Sequence, residues 1–290
     1  MGRRLRLGRI ETSSGTRHRH GNIEKSIAYI DRVYEDYLRY GEIEAFRGSV
    51  CEIGPGDNLG VALRILGGGA EEVVSIDRFY SRRDEAYQQA VYQVLADTYG
   101  LGHLFQGDVA ESNVQQLTYL PATPAEQFFG TAGGRFDFIV SRAVLEHLTD
   151  PIAALSQMSA ALKSGGMMIH RIDLRDHGMF PRHRSLEFLT VSDPVYRRMT
   201  QNSGRPNRVL VDRYRRWLNE SGLSGRILVS RLAGVRTELD PACWQELAVD
   251  VREQALRESA HVRSRLARSL AKTSDQDLAV SGIVLVARKP

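Results

Sequence analysis

Only two cysteines occur among the 290 residues, Cys51 and Cys243, far apart and without metal-type spacing. That excludes a disulfide framework and a zinc knuckle, and both read as buried small hydrophobes. Long apolar runs are missing too. No stretch approaches the roughly 18 to 20 uninterrupted apolar residues that a membrane helix needs. The arginines at positions 3, 4, 6 and 9 are not followed by the apolar core of a signal peptide. The expectation is a cytoplasmic protein with no membrane partner. Lysine is scarce: four of the 39 basic residues are lysine and the rest arginine. Genome base composition explains such a bias, and so does a need for bidentate binding of carboxylate or phosphate. What remains is 42% hydrophobic and 26% charged with a mild net charge of +4. This composition belongs to a globular chain and not to a disordered, collagenous or coiled-coil one.

Along the chain, residues 1–21 are rich in arginine without periodicity and read as a flexible basic tail. From 22 to 47, apolar residues recur at steps of three and four, which predicts a helical cap. Five short apolar runs follow, separated by helix-compatible stretches: Ser49 to Ile53, Glu72 to Ile76, His103 to Gln106, Phe136 to Val140 and Met167 to Ile172. That alternation demands a mostly parallel sheet with crossover helices, hence an α/β fold. Further strands are expected at Arg226 to Ser230 and Leu278 to Ala287, with a long amphipathic helix from about Pro241 to Ala271 before the last. We read residues 22–290 as one domain. Residues 173–218 exceed what the sheet needs and read as a substrate-side insertion.

The stretch Val50-Cys51-Glu52-Ile53-Gly54-Pro55-Gly56-Asp57-Asn58-Leu59-Gly60 is a strand running into a glycine turn and then a helix. Glycine is needed there because a side chain would block the approach of a ligand to the backbone. A dinucleotide fingerprint would require a third glycine where Leu59 stands, so that reading fails. Asp77 closes the second strand and is placed to accept hydrogen bonds from ribose hydroxyls.

In these residues the chain resembles the class I S-adenosylmethionine-dependent methyltransferases of small-molecule type, from about Asn22 to Pro290. "CEIGPGDNLG" is similar to the family's glycine motif, "VVSIDRF" to its ribose acid and "FQGDV" to its adenine-flanking acid. "FDFIVSRAVLEHLTDP" and "LKSGGMMIHRIDLRDH" resemble the fourth- and fifth-strand motifs. The resemblance implies a doubly wound, mostly parallel seven-stranded sheet and S-adenosylmethionine as cofactor. It places Glu52, Gly54 and Gly56 at the methionine end and Asp77, with the adjoining Arg78, at the ribose. Asp108 and Val109 fall at the adenine, and Ser141 or Arg142 beside the methionine moiety. Carboxylates near the loop suit a cationic sulfonium, whereas a pyrophosphate would be repelled.

Methyl transfer is an in-line displacement, so the protein must align the acceptor and, for a hydroxyl, remove a proton. Candidate bases lie just past strand ends: His147 in "LEHLTDP", His170 at the end of the fifth strand, and Asp173 and His177 in the loop beyond. A metal bound by these residues with Glu146 is not expected, because they leave different strand ends and no His-Glu-x-x-His pattern is present. From Arg171 to Arg216 eleven arginines face five acids, which suggests an anionic group on a small-molecule acceptor. Arg171, Arg175 and Arg208 are candidates for it, and Tyr29 and Tyr80 for an aromatic lid. An RNA methyltransferase using the basic segments and an idle cofactor-binding regulator are the alternatives. No RNA-binding module is recognisable, so nucleic acid is not the expected partner. Homodimerisation stays open.

Overall fold

The structure is a computed structural model that describes residues 21–81, 83–180, 184–201 and 203–290. The expected tail lies outside the described residues except for its last position. Among the described residues the helices and strands follow one another as α1 (Ile23–Gly41), β1 (Ser49–Ile53), α2 (Gly60–Gly67), β2 (Glu72–Ile76), α3 (Glu85–Tyr99), β3 (Leu117–Leu120), α4 (Ala125–Phe128) and β4 (Phe136–Arg142), then α5 (Pro151–Ala161), β5 (Leu162–Asp173), α6 (Asp193–Thr200), α7 (Val211–Glu220), β6 (Ser224–Leu232), α8 (Val249–Val262), α9 (Asp275–Ala279) and β7 (Val280–Arg288). The seven strands form one sheet in the order β3-β2-β1-β4-β5-β7-β6. The chain divides into two compact units, one running to Val140 and one from Ser141 to Pro290.

In the first unit β1 pairs parallel with β2, and β2 with β3. All five residues of β1 are buried, as expected for a strand covered on both faces. Burying a side chain such as Val50 or Ile53 there contributes about 1.5–3 kcal/mol. The cap helix α1 begins at Asn22, whose side chain accepts from Lys25 N at 3.3 Å. It ends at Glu42 in a left-handed conformation, and it buries Ile30, Val33, Tyr34, Tyr37 and Tyr40.

In the second unit β7 runs antiparallel to both β5 and β6. Helix α5 starts at Pro151, with Asp150 accepting from Ile152 N and Ala153 N at 3.1 and 3.0 Å. The insertion builds its own core: Leu186, Phe188, Leu189, Tyr196 and Leu210 pack with residues of the C-terminal segment such as Val262 and Leu278.

Two expectations are corrected. His103 to Gln106 is not the third strand. Gly100, with φ +67°, ends α3 and turns the chain into a 3-10 turn at Leu101–Leu104. The chain then folds back on itself, with Gln106 N donating to the Asn113 carbonyl and Gln115 N to that of Leu104. Only at Leu117 does it join the edge of β2. The long helix is also interrupted: α8 spans Val249–Val262, and short 3-10 turns at Arg263–Arg265 and Arg268–Leu270 follow it.

Candidate functional site

The glycine loop leaves β1 through Gly54 and Gly56, at φ +74° and +71°. Side chains other than glycine rarely adopt that conformation. Gly54 N donates to the Ile76 carbonyl at 2.8 Å, which ties the loop to the end of β2. Beneath it lies Glu52, buried and accepting from Ser75 Oγ at 3.0 Å. Burial pushes its carboxyl up to about 7, against the lowering effect of that hydrogen bond and of Arg83. Asp57 and Asn58 are buried as well. At the end of β2, Asp77 accepts from Phe79 N at 3.2 Å. Burial raises its carboxyl, and backbone donors from Phe79 and Gly56 oppose that rise. Two positive-φ glycines and two acids, with a further acid at the next strand end, fit a cation with a ribose. They do not fit a pyrophosphate, which needs donors and positive charge.

Arg83 was not singled out by sequence reasoning, yet it occupies a central place in this unit. It forms an ion pair with Glu111, approaches the Gly56 carbonyl at 3.5 Å and lies 4.0 Å over the Tyr119 ring. Its contacts come from the glycine loop, the fold-back and β3, and no local spacing signals that. Asp108 and Val109 sit on the fold-back instead of at the end of β3; Asp108 is exposed, and its carbonyl accepts from Asn113 Nδ2 at 2.9 Å. The residues that follow β3 are Pro121 to Thr123, and Thr123 N donates to the Asp77 carbonyl at 2.7 Å. Arg78 is half-buried, its guanidinium 5.4 Å from the Phe79 ring centroid. Tyr29 is half-buried on α1 and Tyr80 is 37% exposed after β2.

In the second unit the turn after β4 and the loop after β5 converge. The expectation against a metal rested on their separation in sequence, and three of the residues concerned come together. Glu146, His147 and His177 each present one donor atom, all within 4.8 Å of one another. His177 Nε2 lies 3.8 Å from Glu146 Oε1 and 3.5 Å from Asp173 Oδ2. The two imidazoles meet edge to face with centroids 4.9 Å apart. His177 itself adopts φ +50°, strained for a residue with a Cβ. Glu146 is 1% exposed, and neither carboxylate oxygen has a hydrogen-bond partner among the described residues; His147 Nδ1 is likewise unpartnered. Burial lifts the Glu146 carboxyl well above the usual carboxylate range. Burial, helped by His177, pushes His147 down to about 4. Burial would also raise Asp173, but hydrogen bonds from Arg175 and His177 outweigh it and hold that carboxylate ionised.

Asn207, another residue missed by sequence reasoning, locks the turn from the insertion. Its Nδ2 donates to the carbonyls of Leu145 and Leu148, at 3.0 Å each, and its backbone N to that of Glu146 at 2.6 Å. An asparagine inside an Arg-rich loop carries no signal of its own.

Several other candidates are engaged in contacts within the fold. His170 is fully buried, and one ring nitrogen is hydrogen-bonded to Ser141 Oγ at 2.8 Å. Burial drives it down to about 3, so it stays a neutral core histidine with no access to an acceptor. Ser141, also 0% exposed, is committed to that bond. Arg142 is half-buried beside it in sequence. Arg171 pairs with Glu238 at 2.8 Å, and Arg175 grips Asp173 through Nε and Nη2. Arg208 pairs with Asp193 at 2.8 Å, donates to the Phe188 and Val191 carbonyls and stacks on Tyr196. Arg175 and Arg208 thus pair with acids of the insertion itself, and Arg171 ties β5 to the segment after β6. No helix among the described residues is long and apolar enough to cross a membrane.

A sheet of this strand order, with a glycine loop after β1 and an acid after β2, defines the class I methyltransferase fold. A methyltransferase domain family matches residues 25–225, and the chain belongs to that family. It is an S-adenosylmethionine-dependent methyltransferase. Similar solved structures include the 4+2 cyclase SpnF, with TM-score 0.45, 16% identity, and coverage of 90% of this chain and 80% of that one. Phosphoethanolamine N-methyltransferase 2 of Haemonchus contortus, bound to phosphomonomethylethanolamine and S-adenosylhomocysteine, has TM-score 0.46 and 15% identity, with 90% of this chain and 52% of that one covered. This chain thus spans about half the length of the worm enzyme. The YcgJ protein of Bacillus subtilis has TM-score 0.46 and 13% identity, covering 89% and 98%. These likenesses lie in the fold; the family assignment rests on the domain match.

Proposed function

We propose that this methyltransferase acts on an oxygen or nitrogen of a small metabolite, and that the Glu146, His147, Asp173 and His177 cluster receives the acceptor. The observation that carries this reading is the convergence of two carboxylates and two imidazoles at the ends of β4 and β5. It provides proton-accepting groups just where an open α/β sheet binds ligands. In the first unit Glu52, Gly54 and Gly56 hold the methionine end of the cofactor, and Asp77, with Arg78 beside it, the ribose. Pro121 to Thr123 replace Asp108 and Val109 beside the adenine, because Thr123 is bonded to the Asp77 backbone. The cofactor supplies the methyl group: the acceptor lone pair forms a bond to the methyl carbon as the carbon–sulfur bond breaks, leaving a neutral thioether. Asp173, held ionised by Arg175, orients His177 toward the acceptor's proton.

Arg171, Arg175 and Arg208 are each paired to an acid of the same unit, which takes these three away from recognition of an anionic acceptor. The acceptor is therefore defined by its hydroxyl or amine. Mass spectrometry of a metabolite pool incubated with the enzyme and methyl-labelled S-adenosylmethionine tests this. One small metabolite gaining one labelled methyl is the expected result. Label appearing only in RNA or in protein overturns it.

A further inference from the structure

We infer that Glu146, His147 and His177 form a binding site for a divalent cation of zinc-like chemistry. Their three donor atoms, one carboxylate oxygen and two imidazole nitrogens, lie within 4.8 Å of one another. Ligands at about 2.0–2.2 Å around a tetrahedral cation are separated by a little over 3 Å. The 3.8 Å between His177 Nε2 and Glu146 Oε1 is a few tenths of an ångström beyond that separation.

A second observation points to a ligand independently of that spacing. Glu146 is 1% exposed, and both its oxygens lack a partner among the described residues, as does the Nδ1 atom of His147. Buried polar atoms are rarely left so, and a cation would satisfy a carboxylate oxygen and an imidazole nitrogen at once. The surroundings agree in charge. Asp173 adds a second carboxylate 3.5 Å from His177, and the guanidinium of Arg175 grips Asp173, whereas among the described residues no guanidinium is hydrogen-bonded to Glu146. Asn207 holds the Leu145–His147 turn from outside through the Leu145 and Leu148 carbonyls. A prearranged ligand set of that kind reduces the ordering cost of binding.

Two imidazoles and one carboxylate suit zinc, iron(II) or cobalt(II) better than magnesium or calcium, which prefer oxygen donors. Three protein ligands leave a position open, the pattern of sites that act on a ligand rather than only hold a fold. Given the proposed reading of this cluster as the acceptor site, the open position would take the acceptor's oxygen. With a cation bound, His177 is spent as a ligand and no longer takes the acceptor's proton; the cation would instead lower the hydroxyl pKa so that the proton passes to solvent, and the acceptor class narrows to oxygen nucleophiles.

Cobalt(II) titration of the full chain after chelator treatment tests the site through visible absorption and equilibrium dialysis. One equivalent should bind with ligand-field bands of a low-coordinate nitrogen–oxygen site, and zinc should displace it. Glu146→Gln and His177→Ala should each weaken binding at least tenfold. His261→Ala, at an exposed position on α8, should leave it unchanged. His177 is largely at the surface, so its variant reports on binding even if Glu146→Gln fails to fold. Absence of stoichiometric binding, or binding indifferent to His177→Ala, overturns the cation site. If methyl transfer to a small metabolite persists in the same metal-free protein, the methyltransferase reading stands without it. A bound cation with methylation of no small acceptor leaves the site standing and removes only its proposed use.

Discussion

Asn207 Nδ2 donates to the Leu145 carbonyl at 3.0 Å across 62 residues of sequence. That bond, with its twin to Leu148, makes the insertion a brace for the turn that presents Glu146 and His147. Asn207→Ala leaves two turn carbonyls without this donor and should cost about 1–3 kcal/mol of stability. Urea unfolding measures that loss. Methyl transfer should fall while S-adenosylmethionine affinity, measured by calorimetry, is retained. Unchanged transfer would show that the turn holds its shape without the brace.

Asp77 and Asp108 should separate cleanly. Asp77→Ala removes the acid at the end of β2 and should weaken S-adenosylmethionine binding by about 1–3 kcal/mol, the scale of charge-assisted hydrogen bonds. Asp108→Ala, on the exposed fold-back, should leave affinity within twofold. Calorimetry on both variants checks this, and the reverse ranking would return Asp108 to the adenine.

Glu52 links stability to pH. Its folded carboxyl is raised by burial to about 7 from an ordinary value of 4.5. The folded state thus binds the proton more tightly, and the contribution is present below pH 4.5 and lost as pH rises toward 7. The difference in unfolding free energy between wild type and Glu52→Gln should change by roughly 3 kcal/mol across that window. His170 has the opposite sign. Kept neutral by burial, with its folded value about 3, it costs stability as pH falls below 6.5. The two slopes oppose each other between pH 4.5 and 6.5, so Glu52→Gln should expose the histidine's acid destabilisation. Urea titrations at several pH values measure it, and a pH-independent difference would place the Glu52 carboxyl outside the buried environment.

His177→Ala should lower methyl transfer by about 10² to 10⁴ while cofactor affinity stays within a few-fold. Steady-state kinetics with the genuine acceptor and calorimetry with S-adenosylmethionine read the two effects separately. Wild-type turnover would make the β5 loop structural.

Much of the first unit was legible in the residues themselves. The strand-glycine-helix run from Val50 to Gly60 and the acid at Asp77 are local, because a turn that requires positive φ and the end of a strand are both written in a few neighbouring positions. The third strand was misplaced because His103 to Gln106 has the apolar content of a strand. Whether such a run pairs depends on the free edge of β2, which Leu117 to Leu120 reaches instead.

The sequence by itself determined the α/β alternation, the glycine turn after β1 and the acid at the end of β2, all of which follow from short-range periodicity and backbone preference. Only the tertiary structure decided which charged residues are available. Arg208 disappears into its pairing with Asp193, and His170 into the core against Ser141. Glu146, unremarkable beside His147 in the chain, becomes a buried carboxylate facing His177. Pairing and desolvation act between residues tens of positions apart, and a linear pattern does not contain those distances.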